Sequence, residues 1–311
     1  MTTPAQRMPK EEINVYGINA CKALFKERPE EIVRVYLTNR TKNAFSELMR
    51  FCVEKKLPYH IRPKEEFEKI TQSTHHEEVC LTVRRKQHVR HDEWLKRYGS
   101  KKLDMVLAVD GVDNPHNLGS LMRICSNFGV KHLLTEQPDS LKNPSAMRTA
   151  EGGGEQVVVI ACRNICEALG DFRKAGYRII STSSHAKKGL DMLHWPMKAV
   201  LVLGSESVGV RQEIWDEADV TIRIPGTEAV ESLNVSSAAS ILCNDWYAKK
   251  ILPPTAPPPP RNRPPTSGAT RTDSASRPAR PGAQAPRRSK PPEGKAFARS
   301  PRKAQRKPRE N

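Results

Sequence analysis

The sequence predicts an α/β protein built on a mostly parallel sheet. Two observations carry that reading. Strand-like apolar runs alternate with amphipathic stretches through residues 13–250. In the second half, runs such as Met105-Val106-Leu107-Ala108-Val109 are almost continuously apolar, the pattern of strands buried on both faces.

The elements follow in order. Residues 13–84 read as a small α/β module. Val15-Tyr16-Gly17 leads into a helical pattern over 18–26, with Ala20, Leu24 and Phe25 on one face. Residues 33–38 alternate as a strand. Residues 44–54 place Phe45, Leu48, Met49 and Cys52 at helical spacing. A short strand at 59–61, a short helix at 64–70 and a strand at 79–83 complete the module. Its one polar cluster, His75-His76-Glu77-Glu78, reads as an exposed loop, because neighbours in sequence rarely point at one metal centre. Residues 85–104 are basic and weakly apolar, a linker with a short helix at 92–98. Residues 105–250 form a second domain. Strands fall at 105–109, 132–135, 157–160, 178–182, 200–203 and 220–224. Helices fall at 120–128, 145–150, 165–175 and 211–216, and a last one at 233–249 closes the domain.

Composition narrows the class. The chain has 311 residues and a net charge of +17. The segment 251–311 holds fifteen Lys or Arg against three Asp or Glu, and fifteen of the 25 prolines. Such a segment buries too little apolar surface to offset chain entropy, so a disordered tail is expected. Its charge suits a flexible phosphate-binding arm. A solubilising tail of no specific role is the blander reading. Residues 1–12 read as an N-terminal tail. They contain no apolar core of a secretory signal, and no run approaches a membrane span, so a cytoplasmic protein is expected. Seven scattered cysteines fit buried reduced thiols. Cys162 and Cys166 lack zinc-site spacing, and no metal site is expected.

Three polar loops follow apolar strands, where ligands gather in open α/β sheets. The first is Asn114-Pro115-His116-Asn117-Leu118-Gly119, continuing to Arg123. The second is Leu203-Gly204-Ser205-Glu206-Ser207-Val208-Gly209. The third runs from Ile224-Pro225-Gly226 to Ser232-Leu233-Asn234-Val235-Ser236. None matches G-x-G-x-x-G or the P-loop pattern. Taken alone, Ser232, Asn234 and Ser236 are helix-start residues whose side-chain oxygens accept from a first turn.

In this order and spacing, the three loops resemble the signature motifs of the SpoU (TrmH) branch of the SPOUT RNA methyltransferases. Tyr16-Gly17-Ile18-Asn19-Ala20 and Arg148-Thr149-Ala150-Glu151-Gly152-Gly153 are similar to the YfiF-type subgroup of tRNA/rRNA methyltransferases. Residues 13–84 resemble the small ribosomal-protein-like substrate-binding domain that often precedes the catalytic domain. The resemblance implies a trefoil-knotted SPOUT domain, a homodimer, S-adenosylmethionine as cofactor and 2′-O-methylated ribose in rRNA or tRNA as product.

It also implies site residues. Asn117, Arg123, Glu206, Ser232 and Asn234 form the catalytic set. Backbone groups near Leu203, Gly204, Ile224 and Leu233 hold the cofactor. The family assigns activation of the ribose to the position of Arg123. An arginine pKa above ~12 makes a poor base. Arg123 fits better as a donor that holds the adjacent phosphate and stabilises the developing alkoxide, with phosphate or water taking the proton. A bare surface charge is the competing reading; an Arg in a first turn, where this one is expected, would oppose the helix dipole. Asn117 and Glu206 would orient Arg123 or the substrate. His116 reads as a substrate contact or turn residue. Two other functions remain open to sequence: an inactive RNA-binding or ribosome-assembly protein with the same fold, and methylation of an RNA base.

Overall fold

A computed structural model describes residues 12–227 and 229–252. The expected N-terminal tail, the basic tail and Glu228 of the third loop lie outside those residues, apart from the junctional positions 12, 251 and 252. The first sheet is built from β1 (Glu12–Tyr16), β2 (Ile32–Leu37), β3 (Tyr59–Ile61) and β4 (Val79–Arg84) in the order β1-β4-β2-β3. Helices α1 (Ile18–Glu27), α2 (Ser46–Glu54) and α3 (Phe67–Thr71) accompany it. Val15, Leu24, Val35, Leu37, Cys52 and Leu81 are fully buried in its core.

The chain then enters a second sheet earlier than expected. Within the linker, β5 (Val89–Arg90) pairs with that sheet's edge, and α4 (His91–Tyr98) follows. Next come β6 (Asp104–Asp110), α5 (Pro115–Asn127), β7 (His132–Thr135), α6 (Pro144–Thr149), α7 (Gly153–Gln156), β8 (Val158–Ala161) and α8 (Ile165–Lys174). The rest is β9 (Arg178–Thr182), β10 (Lys188–Gly189), β11 (Lys198–Gly204), α9 (Gln212–Glu217), β12 (Val220–Arg223) and α10 (Val235–Lys250). The strand order is β10-β12-β9-β11-β6-β7-β8-β5, and every pairing is parallel.

The central strands show why their sequences are continuously apolar. Met105, Leu107 and Val109 enter one core, while Val106 and Ala108 enter the other. In β11, Ala199, Leu201 and Leu203 face the first core, and Val200 and Val202 the second. Helices α5 and α10 cover one face with Leu118, Leu121, Val235 and Leu242. Trp94 of α4, Phe172 of α8 and Ile214 of α9 cover the other. Burying each large side chain contributes roughly 1.5–3 kcal/mol before the entropy of ordering it is subtracted.

Two expectations need correction. Helix α5 begins at Pro115 rather than near Ser120, so Arg123 lies in its third turn and not its first. The dipole argument for Arg123 therefore fails. The His75–Glu78 cluster is also not simply exposed. His76 is 3% exposed, stacks on Phe67 and accepts from the Glu78 amide through Nδ1 at 3.0 Å. Glu78 is buried and accepts from Thr38 Oγ1 at 3.0 Å.

One buried ion pair ties the two sheets' elements together. Arg28, just past α1, donates from Nε and Nη2 to Glu155 of α7 at 2.7 and 3.1 Å. The side chains are only 13% and 1% exposed. Removing one member of a buried pair strands the other charge, so Glu155→Ala should cost about 3 kcal/mol. A lowered urea midpoint reads that loss; an unchanged midpoint would mean the pair contributes nothing.

Candidate active site

The register places the ends of β6 and β11 side by side, with Gly204 opposite Asp110. Two loops therefore leave the sheet as neighbours. The first enters α5 at once. Asn114 caps it, its Oδ1 accepting from the His116 amide at 2.9 Å, and Pro115 supplies the preset backbone of the first helical position. Asn117 thus sits in the first turn. Gly119 is the close-packing point of this loop: a Cβ there would lie 2.5 Å from the Ala146 carbonyl oxygen and 2.6 Å from Thr149 Cβ. This lets α5 lie directly on α6.

The second loop folds straight back over its own strand. The Gly209 amide donates to the Ser205 carbonyl at 2.9 Å, and Gly209 takes a φ of 75°. A Cβ on Gly204 would run into the Gly209 carbonyl and the Val210 nitrogen. The tight fold presents Glu206, which is exposed, toward the first turn of α5.

The third loop arrives from β12 and ends at Asn234, the cap of α10. Its Oδ1 accepts from the amides of Ser236 at 2.9 Å and Ser237 at 3.4 Å. Its Nδ2 donates to Asn117 Oδ1 at 3.2 Å and also to Glu206 Oε1. Asn117 Nδ2 donates to the same Glu206 oxygen at 3.1 Å. One amide therefore performs two tasks, the oxygen capping a helix and the nitrogen joining three loops. Glu206 thus lies by the N-terminal ends of two helices, α5 and α10.

Asparagine is needed for that division. Asn234→Asp keeps the cap but sets a second carboxylate against Glu206. Repulsion would raise one folded-state carboxyl pKa, so the variant should match the native protein near pH ~4 and lose about 1 kcal/mol by pH ~7. Urea unfolding at both pH values checks this; a loss independent of pH would contradict it.

The expected site residues thus divide. Asn117, Glu206 and Asn234 meet. Arg123 and Ser232 are exposed, and their side chains make no hydrogen bond or ion pair among the described residues. Arg123 is six residues beyond Asn117, about 120° around the helix and about 9 Å along it. Leu203 is buried within β11, Gly204 ends that strand, Ile224 directly follows β12, and the half-exposed Leu233 precedes the cap. His116 lies in the first turn of α5, its Nδ1 3.5 Å from Thr149 Oγ1.

A second polar group escaped the sequence reading. Arg211 donates from its amide and Nε to buried Asp110 at 2.9 and 2.7 Å, and from Nη2 to Glu136 at 3.1 Å. This clamp joins the segments that follow β6, β7 and β11. A charged residue closing an apolar strand, as in Val109-Asp110-Gly111, was the available signal.

The chain is similar to known proteins in sequence and in fold. The profile of the SpoU rRNA Methylase family matches residues 104–244, and that described as RNA 2′-O ribose methyltransferase substrate binding matches residues 14–89. An Escherichia coli O157:H7 protein named an uncharacterized tRNA/rRNA methyltransferase, YfiF, is 39% identical, over 78% of this chain and 70% of its own. The chain belongs to the SpoU methylase family. A Nitrosomonas europaea relative named 23S rRNA (guanosine-2′-O-)-methyltransferase RlmB is 28% identical to this SpoU methylase, over 73% of this chain and 88% of its own. The solved SpoU methyltransferase AviRb of Streptomyces viridochromogenes, in complex with AdoMet, shares the fold. It matches with a TM-score of 0.63 at 17% identity, over 78% of this chain and 90% of its own.

Proposed function

We propose that this SpoU methylase transfers a methyl group from S-adenosylmethionine to a ribose 2′-hydroxyl of rRNA or tRNA. The joining of Asn117, Glu206 and Asn234, from the loops that follow β6, β11 and β12, carries the reading, because it fixes three loops at the carboxyl ends of the strands, where ligands bind. Family membership and the RlmB relative support the same chemistry.

The residues present fit the cofactor. Gly204 leaves the strand end free of a side chain where the backbone doubles back, and Leu203, Ile224 and Leu233 would complete the cradle through main-chain groups. When bound, S-adenosylmethionine supplies an electrophilic methyl on a positive sulfonium. The protein must then align a nucleophile and draw off its proton. Arg123 donates to the phosphate beside the target ribose and stabilises the developing alkoxide, while phosphate or water takes the proton. Ser232 contacts the nucleotide. The amide–carboxylate trio keeps the loops from splaying.

Several finer features belong to the same reading. The domains are a substrate-binding module at 13–84 and a methyltransferase domain at 105–250, joined by the segment 85–104, whose β5 and α4 already belong to the second sheet and its core. The module is ribosomal-protein-like, the methyltransferase domain carries the trefoil knot, and the protein works in the cytoplasm. A homodimer is supported by α10, whose exposed positions Ser237, Ile241, Asn244 and Ala248 form one uncharged stripe at helical spacing. No helix among the described residues is long and apolar enough to cross a membrane.

The test combines calorimetry with labelled transfer. The protein should bind S-adenosylmethionine and place its labelled methyl on 2′-hydroxyls of RNA from cells lacking the gene. Binding without transfer to any ribose would reject the reaction; methyl on a base would reassign it.

A further inference from the structure

Away from the strand ends, the passage from the first sheet to the second is lined with positive charge. Strand β4 ends at Arg84, and the chain continues through Arg85, Lys86 and Gln87 to β5. Arg28 arrives beside this segment from α1. Between them lies a cleft of about 350 Å³ lined by Arg28, Glu31, Arg84, Arg85, Lys86 and Gln87. That volume falls within the usual range of ligand sites, roughly 300–1,000 Å³.

Four cations face one carboxylate in this lining, and two of them are fixed from behind. The guanidinium of Arg28 is held by Glu155, and its Nη1 donates to the Arg84 carbonyl at 2.8 Å. Lys86 Nζ donates to the carbonyls of Glu155 and Val157 at 2.9 and 3.2 Å. Burial favours the neutral form of Lys86, and only the nearby carboxylates oppose that.

The other two are less committed. Arg84 is 66% exposed, with Glu31 3.8 Å away and the Glu30 carbonyl 3.4 Å away. Arg85 reaches Asp139 only at 3.5 Å, and its Nε is buried with no hydrogen-bond partner among the described residues. A buried donor left without an acceptor is costly. The side chain as a whole is 34% exposed and stays open to a further acceptor. Guanidinium forks match the paired oxygens of a phosphate in both charge and shape.

We infer that this cleft is a phosphate subsite for the substrate RNA, seating a backbone phosphodiester against Arg84 and Arg85 where β4 leads into β5. Arg28 and Lys86 supply fixed positive charge behind it. The inference rests on the proposed reading of the protein as an RNA methyltransferase. The residues of the cleft belong to none of the three motif loops and lie within the substrate-binding match at 14–89, so the inference names where in that stretch a phosphate sits. It also gives the basic segment a role beyond connection.

The test uses the full chain and its Arg84→Gln/Arg85→Gln double variant. Both side chains reach solvent, so the variant should fold; equal affinity for S-adenosylmethionine by calorimetry verifies that. Anisotropy of a fluorescein-labelled 20-nucleotide oligouridylate, measured between 50 and 200 mM salt, reads the phosphate seat. The variant should bind about tenfold more weakly, and its log–log salt slope should fall by about 0.7 for each phosphate it no longer neutralises. The basic tail is present in both proteins and its share cancels. Unchanged affinity and slope would overturn the inference. So would a thermal shift of the native protein alone with millimolar inorganic phosphate and no change in RNA binding, which would make the cleft a site for free phosphate. Because binding is read without turnover, a native protein that transfers no methyl would fail the methyltransferase reading separately.

Discussion

Arg123→Ala should lower methyl transfer at least a hundredfold while altering folding stability by less than about 0.5 kcal/mol. The two halves of that expectation have separate physical grounds. The side chain is exposed and makes no hydrogen bond or ion pair among the described residues, so removing it breaks nothing in the fold. Its backbone is well placed, because α7 lies against it: a Cβ on Gly153 would sit 2.9 Å from Arg123 Cα. A guanidinium carried on a fixed helix backbone, with no partner among those residues, is available to an RNA phosphate. Losing one donor aimed at developing negative charge typically costs a hundred- to a thousandfold in rate. Arg123→Lys should fall between, since the charge remains and the two-pronged geometry does not. Single-turnover transfer with labelled cofactor measures both variants. Transfer by Arg123→Ala at the native rate would assign Arg123 to the helix surface.

Gly204→Ala should weaken cofactor binding at least tenfold and destabilise the fold. Here the obstacle is main chain against main chain. The added methyl would overlap the Gly209 carbonyl and the Val210 nitrogen, neither of which can rotate away as a side-chain tip can. The 205–209 loop would have to lift off the strand. That would break the bond from the Gly209 amide to Ser205 and carry Glu206 away from Asn117 and Asn234. Overpacking of this kind costs about 1–3 kcal/mol, and backbone clashes lie at the upper end. Calorimetry should show at least a tenfold loss of S-adenosylmethionine affinity, and thermal unfolding should move downward. Native affinity in this variant would show that the strand end has room to spare and does not shape the cofactor cradle.

The sequence made most of the second sheet legible because its central strands are apolar on both faces, and that pattern needs no knowledge of partners. Residues 105–109 and 200–203 were recognisable for this reason. The start of α5 was not. Asn114-Pro115-His116-Asn117 has the composition of a turn, yet an Asn cap followed by Pro at the first helical position is equally a helix start. Only the packing of Gly119 on α6 settles which applies. The misplacement matters, since it moved Arg123 two turns along its helix. Strands β5 and β10 have two residues each, too few for any periodicity, and tertiary pairing alone creates them. His76 is buried because Phe67 stacks on it, which four consecutive polar letters could not reveal.

The candidate site was legible in a different way. Asn234 was readable as a cap and as a member of the catalytic set, and its one side chain both caps α10 and joins the three loops. The meeting of Asn117, Glu206 and Asn234 spans up to 117 residues of sequence and followed from the family resemblance, not from local pattern. Pairs such as Arg28 with Glu155 and Arg211 with Asp110 carry no local signal, since each depends on how distant strand ends and helix ends are brought together.

On the proposed reading, this SpoU methylase modifies ribose in RNA. Nucleotide-resolution mapping of 2′-O-methyl groups in rRNA and tRNA, from cells with and without the gene, tests it most directly. At least one site should disappear with the gene, return with the native protein and stay absent with Arg123→Ala. An identical set of 2′-O-methyl positions in both cell types would contradict the account.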